Sequence, residues 1–257
     1  MQPTPTLLVF TLGASRDAER RRLLPARLRP LEVGVHEACL EAALDAGRAC
    51  GCRLEVCSPT HLDLPEDVRY ADQTGSGFGP RLERALGAAF ERGEGPVLVV
   101  GTDVPGLDAR HLARALESLA ADPDRVVLGP SPDGGFYLLA ASRPIDCLGT
   151  GGLDTCGLGT AVRWCRHDTL RSLVRALRAA GRPVTLLDPL EDLDRPTDLD
   201  RWLAARAGRE LRWRTLAGLL RQALAAVRRP LPALAPRLRP AFAAATAGRS
   251  PPSAPPR

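Results

Sequence analysis

"VLVVGTDVPGL", residues 97–107, sets an unbroken apolar run ahead of Asp103 and a Pro-Gly turn. The run is short and rich in valine, as expected of a strand buried on both faces. Pro105 fixes its backbone φ and Gly106 permits a tight turn, so the chain holds Asp103 rigidly at the strand exit. A carboxylate in that place can bind a divalent cation, which in turn clamps phosphate oxygens. It can also be a simple turn aspartate, and this stretch alone leaves both readings open.

Similar runs recur on either side. "TLLVF" (6–10), "RLEVCS" (53–58), "RVVLG" (125–129) and "PVTLLD" (183–188) also read as strands. Amphipathic stretches lie between them. Leu82, Leu86, Ala89 and Phe90 share one face, and Leu112, Leu116 and Leu119 share another behind Asp108, a good N-cap. Leu170, Leu173, Val174 and Leu177 repeat the pattern before Gly181. Strand–helix alternation predicts an α/β fold, a mostly parallel central sheet with helices on both faces. Ligands bind such sheets outside the carboxyl ends of the strands, where Asp103 sits.

The net charge of +5 conceals a split. Beyond Glu210 there are nine arginines and no acid, whereas residues 1–210 hold 26 arginines against 30 acids, a balance of −4. An acidic domain with a basic tail argues against nucleic acid as the partner of the main domain. The seven cysteines lack zinc-finger spacing, and their odd number reads as reduced thiols in a cytoplasmic protein. The segment 207–229 reads as a basic amphipathic helix, with Leu216, Leu219, Leu220, Ala223 and Val227 on one face. That face has two possible partners: the domain or a second copy, or an anionic membrane touched peripherally through 209–228. From Pro230 the Pro-, Ala- and Arg-rich tail is expected to be disordered.

Three further stretches carry candidate chemistry. In "GPSPDGGFYLLA" (129–140), Asp133, Gly134 and Gly135 form a turn with a strand on each side. Its glycines let backbone N–H groups approach a ligand, although Asp-Gly also marks an ordinary hairpin. In "DPLEDLDRPTDLDRWL" (188–203), Asp192, Asp194 and Asp198 precede or open a helix at Pro196. They offer a metal ligand or simple helix-terminus complementarity. The stretch "TLGASRDAERRRLLP" (11–25) reads as a basic loop suited to a triphosphate or pyrophosphate, or as a solvated charge run.

Together "GTDVPGL", "GPSPDGGFYLL" and "DLDRPTDL" resemble the domain of unknown function 2064 family. Its members look like glycosyltransferase-A (GT-A) nucleotide-diphospho-sugar transferases and are similar to 2-phospho-lactate guanylyltransferases. Gln73, Gly79, Arg81 and Trp164 are supporting matches, and the resemblance spans residues 6 to 204. It implies a single GT-A-like (Rossmann-like) domain over residues 1–206 and a transferase that uses a nucleotide-activated sugar. Mg²⁺ or Mn²⁺ would be held by Asp103 with Asp194, or else Asp192. Arg20 and Arg22 would bind substrate phosphates, and Arg81 is a further substrate-binding candidate. Asp133, the candidate general base, would meet the sugar or an unknown small-molecule acceptor together with Gly134 and Gly135.

The first stretch departs from the family pattern K-x-P-x-x-G-x-x-K-T-R-L. Leu12, Ala14 and Asp17 replace its first lysine, proline and glycine, and Arg20, Arg21, Arg22 and Leu23 follow. Two rivals remain. A nucleotidyltransferase acting on a phosphorylated acceptor would use the same metal site. A degenerate relative would bind without catalysis.

Overall fold

The computed structural model describes residues 3–92, 95–145, 162–205 and 211–228. Cys147, Cys156 and the tail from Pro230 lie outside the described residues.

Seven strands form one sheet: β1 (Thr6–Phe10), β2 (Arg53–Ser58), β3 (Val68–Asp72), β4 (Val97–Val100), β5 (Val126–Pro130), β6 (Phe136–Ala141) and β7 (Val184–Leu186). Their order is β3-β2-β1-β4-β6-β5-β7. Only β6 runs antiparallel, between β4 and β5. The carboxyl ends of the other strands therefore meet at one edge, joined there by the start of β6. That topology brings Asp103, Asp133 and the loop after β7 to the same side.

Alternation along the strands divides the core. Leu7, Val9, Leu98 and Val100 face one layer, made by α2 (Arg29–Ala49) and α4 (Ala109–Ala121). Leu8, Val97, Val99 and Leu139 face the other, made by α3 (Phe78–Glu91) and α5 (Thr169–Ala179). The expected helices on both faces are present. The Asp108 N-cap is present too, in a capping box whose other half is the His111 side chain.

Two elements differ from expectation. Residues 11–25, read as a basic loop, contain α1 (Ala14–Arg21), entered through Gly13 at φ 91°. The helix forms because Asp17 and Ala18 give it a buried side. The long α2 has little amphipathic contrast because it is covered twice. Ala43, Leu44 and Ala46 lie against the sheet, while Cys39 and Ala42 lie under Trp213 of α7 (Leu211–Arg228), the helix that follows α6 (Pro196–Ala205).

Of the two partners expected for the C-terminal helix, the structure supplies the domain. Ala217 and Leu220 pack with Leu23, Leu24, Val35 and Leu203, and Trp213 meets Trp202 at 5.6 Å between ring centroids. Among the described residues no helix is long and apolar enough to cross a membrane.

Candidate active site

The site is built from loops at the shared sheet edge. After β1, the Thr11 hydroxyl donates to Asp17 Oδ2 at 2.9 Å and lies 2.9 Å from the Thr102 hydroxyl. Asp17 is buried and holds α1 onto the sheet edge, so the acid that replaces a family glycine is structural here. Its Oδ2 also accepts from the Thr102 hydroxyl at 3.4 Å, and the residue lines the cleft.

After β4, Gly101 leaves room for the next turn. A Cβ there would lie 2.7 Å from Asp103 Oδ1. After β7, the chain follows β5, with Leu187 N–H donating to Leu128 O at 2.9 Å and Leu190 N–H to Pro130 O at 3.2 Å. Leu193 N–H then donates to the Asp103 carbonyl at 2.8 Å. Buried Leu193 thus anchors the segment, with Asp192 and Asp194 flanking it beside the turn that carries Asp103.

Asp133, Asp192 and Asp194 each present a carboxylate oxygen within 4.8 Å of the others. Burial, then repulsion from Asp133 and Asp103, pushes the Asp192 carboxyl up to about 6. Crowded oxygen donors of this kind suit a hard divalent cation. Asp103 stands outside this trio. It accepts from Arg21 Nη2 at 2.6 Å, and the other terminal nitrogen of Arg21 contacts Asp194. The pairing of Asp103 with Asp194 therefore runs through a guanidinium, and Asp192 belongs to the trio.

The remaining candidates divide. Arg20 and Arg81 line the cleft. Arg81 Nη1 donates to Gln73 Oε1 at 2.6 Å, and Gln73 Nε2 donates to the backbone oxygens of Thr11 and Cys57. Arg22, the exposed αL C-cap of α1, donates to Glu19 O and is not among the cleft-lining residues. Asp198 stands apart as well, accepting the backbone N–H groups of Asp194 and Arg195 at 3.2 and 2.8 Å. Gly135 N–H donates to Asp133 Oδ1 at 2.8 Å, which orients that carboxylate. Gly134, at φ 93°, takes the close approach of the His167 carbonyl, 1.7 Å from where a Cβ would sit.

Sequence reasoning missed Arg21, because ungapped alignment with the family loop points to the arginines on either side. A helical reading would have found it. The cleft's aromatic wall was missed too: Phe10, Phe78 and Phe136 line it, with Trp164 stacked behind Phe78 at 5.4 Å. The cleft holds a cavity of about 130 Å³.

Residues 35–150 match the family model described as "Uncharacterized protein conserved in bacteria (DUF2064)". The resemblance to DUF2064 holds. Both "GTDVPGL" and "DGGFYLL" fall within the matched segment. No curated protein matches the chain. Among solved structures, a candidate nucleotide-diphospho-sugar transferase from Desulfovibrio desulfuricans G20 superposes with a TM-score of 0.70 at 22% identity, covering 87% of this chain and 96% of that one. Rv0371c from Mycobacterium tuberculosis H37Rv, solved in complex with manganese, gives a TM-score of 0.45 at 19% identity, covering 79% and 100%. The first of these likenesses bears out the GT-A-like fold.

Proposed function

We propose that this chain is a transferase of nucleotide-activated substrates, and that it moves a sugar from a nucleotide diphosphate to a small acceptor. The observation that carries this reading is the meeting of four aspartates with Arg20, Arg21 and Arg81 at one strand-end edge. Asp194, Asp192 and Asp133 would hold Mg²⁺ or Mn²⁺. Bound there, the cation would supply neutralisation of charge developing on the leaving diphosphate. Arg20 and Arg81 would bind phosphate oxygens, and Phe78 and Phe136 offer an apolar wall for the base or sugar. Asp133, held by Gly135 N–H, would orient the acceptor hydroxyl or take its proton.

Nucleotidyl transfer is the second reading. It is favoured by Arg20 and Arg21, which line the cleft from α1 where a triphosphate would need cations. A thermal-shift panel of nucleotides and nucleotide sugars, with and without Mn²⁺, separates the readings. A ligand at about 100-fold its Kd raises stability by roughly 2.7 kcal/mol. We expect a Mn²⁺-dependent shift with a nucleotide sugar, lost in Asp194→Asn and Asp192→Asn. A shift confined to one nucleoside triphosphate would favour nucleotidyl transfer. No shift with any of them would make the chain a degenerate relative.

A further inference from the structure

The Arg21 guanidinium stands where a second cation is not needed once a metal is bound. Its Nη2 donates to Asp103 Oδ2 at 2.6 Å, and its Nη1 contacts Asp194 and reaches the Leu193 carbonyl at 3.5 Å. Its Nε is buried without a hydrogen-bond partner, so the head is held only through its two terminal nitrogens. Asp194 is the carboxylate common to this bridge and to the aspartate trio. A metal on the trio and the Arg21 guanidinium therefore draw on the same negative charge.

The size of the cleft points the same way. A cavity of about 130 Å³ falls well below the roughly 300 Å³ at which small-molecule pockets begin. Arg21 is part of its lining. The helix that carries Arg21 is pinned from beneath by buried Asp17 against Thr11, so the change open to this region is rotation of the side chain. Arg20, the neighbouring residue, already lines the same cavity.

We infer that Arg21 is a resident counter-cation: it bridges Asp103 and Asp194 in the metal-free protein, a divalent cation displaces it, and the freed guanidinium pairs with substrate phosphate. The inference rests on the metal-assisted reading above. Arg21 is thereby a competitor of the cation and a phosphate ligand afterwards. Its two roles oppose each other in a binding experiment, which makes them separable from a purely structural role.

The test is calorimetric titration of the full chain with Mn²⁺ alone, followed by inorganic pyrophosphate at saturating Mn²⁺, on wild type, Arg21→Gln and Arg21→Lys. Arg21→Gln is expected to bind Mn²⁺ about tenfold more tightly than wild type, because the competitor is gone, and then to bind pyrophosphate about tenfold more weakly. Arg21→Lys keeps the charge but not the planar fork that spans two carboxylates, and is expected to fall between the two. Unchanged or weaker Mn²⁺ binding by a cooperatively melting Arg21→Gln overturns the inference, while wild-type Mn²⁺ binding keeps the metal reading standing. If Arg21→Gln does not fold, wild-type Mn²⁺ affinity in Arg21→Lys overturns it. Absence of Mn²⁺ binding in every variant overturns both.

Discussion

Leu193 donates its backbone N–H to the carbonyl of Asp103 at 2.8 Å, tying the loop after the last strand to the turn after β4. The bond joins segments 90 residues apart in sequence and sets Asp192 and Asp194 on either side of a buried leucine. Leu193 has no ligand atom of its own, yet its anchorage fixes where two carboxylates stand. Leu193→Ala should cost about 2–5 kcal/mol in chemical denaturation, as buried leucine truncations do. It should also weaken Mn²⁺ binding measured by titration. Mn²⁺ binding as in wild type would mean that the backbone bond alone positions the aspartates.

Gly134→Ala tests the hairpin that bears Asp133. The new Cβ would fall 1.7 Å from the His167 carbonyl oxygen at a residue with φ 93°. Overpacking against backbone and left-handed strain add up, so a loss of at least about 2 kcal/mol is expected in thermal or urea melts. A loss under about 0.5 kcal/mol would show that the His167 segment yields easily.

The aspartate trio makes a pH prediction. The Asp192 carboxyl is held up at about 6, above its ordinary 3.8, by burial and by Asp133 and Asp103. The folded metal-free protein therefore binds this proton more tightly than the unfolded chain. Its contribution to stability is present at low pH and is lost as pH rises from about 4 through about 6. Cation binding needs the deprotonated form, so Mn²⁺ affinity should climb as pH rises through about 6 and level off above it. Titrations between pH 5 and 7.5 that show a flat affinity would place Asp192 outside the cation site.

The fold was legible because buried parallel strands are continuous apolar runs. β1, β4 and β5 stood out on that ground, and β2 and β7 as short runs with β-branched residues, with α3, α4 and α5 between them as amphipathic stretches. β3, "VRYAD", escaped because an edge strand carries polar residues at alternate positions. The helix α2 escaped because buried Glu32 and His36 interrupt its apolar side, although exposed Glu37, Glu41, Asp45 and Arg48 mark its outer face. For the site, strand-end logic placed Asp103 at a carboxyl end, and the family resemblance added Asp133 and Asp194. Arg21 was not legible by comparison with the family loop, since its role depends on the helical turn of α1. The Asp192 environment was likewise invisible, because burial and the proximity of Asp133 are properties of the folded loop.

Truncation of the C-terminal helix offers a fourth test. Trp213 is buried against Trp202, Cys39 and Ala42. Trp213→Ala should cost about 3–5 kcal/mol, and removal of residues 207–257 should destabilise the domain at least as much. Vesicle flotation of the intact chain is expected to show no dependence on the apolar residues of α7, because Ala217 and Leu220 are already packed. Flotation lost specifically on replacing exposed Leu219 would instead assign that residue to a membrane contact.

Whether this sheet edge holds a divalent cation is decided by anomalous diffraction at the manganese edge. Crystals grown with Mn²⁺ should show a peak within about 2.0–2.6 Å of carboxylate oxygens from Asp194 and at least one of Asp192 and Asp133. The same map should show Arg21 withdrawn from Asp194. A map at saturating Mn²⁺ with no peak at the trio, and with Arg21 still bridging Asp103 and Asp194, would contradict the account.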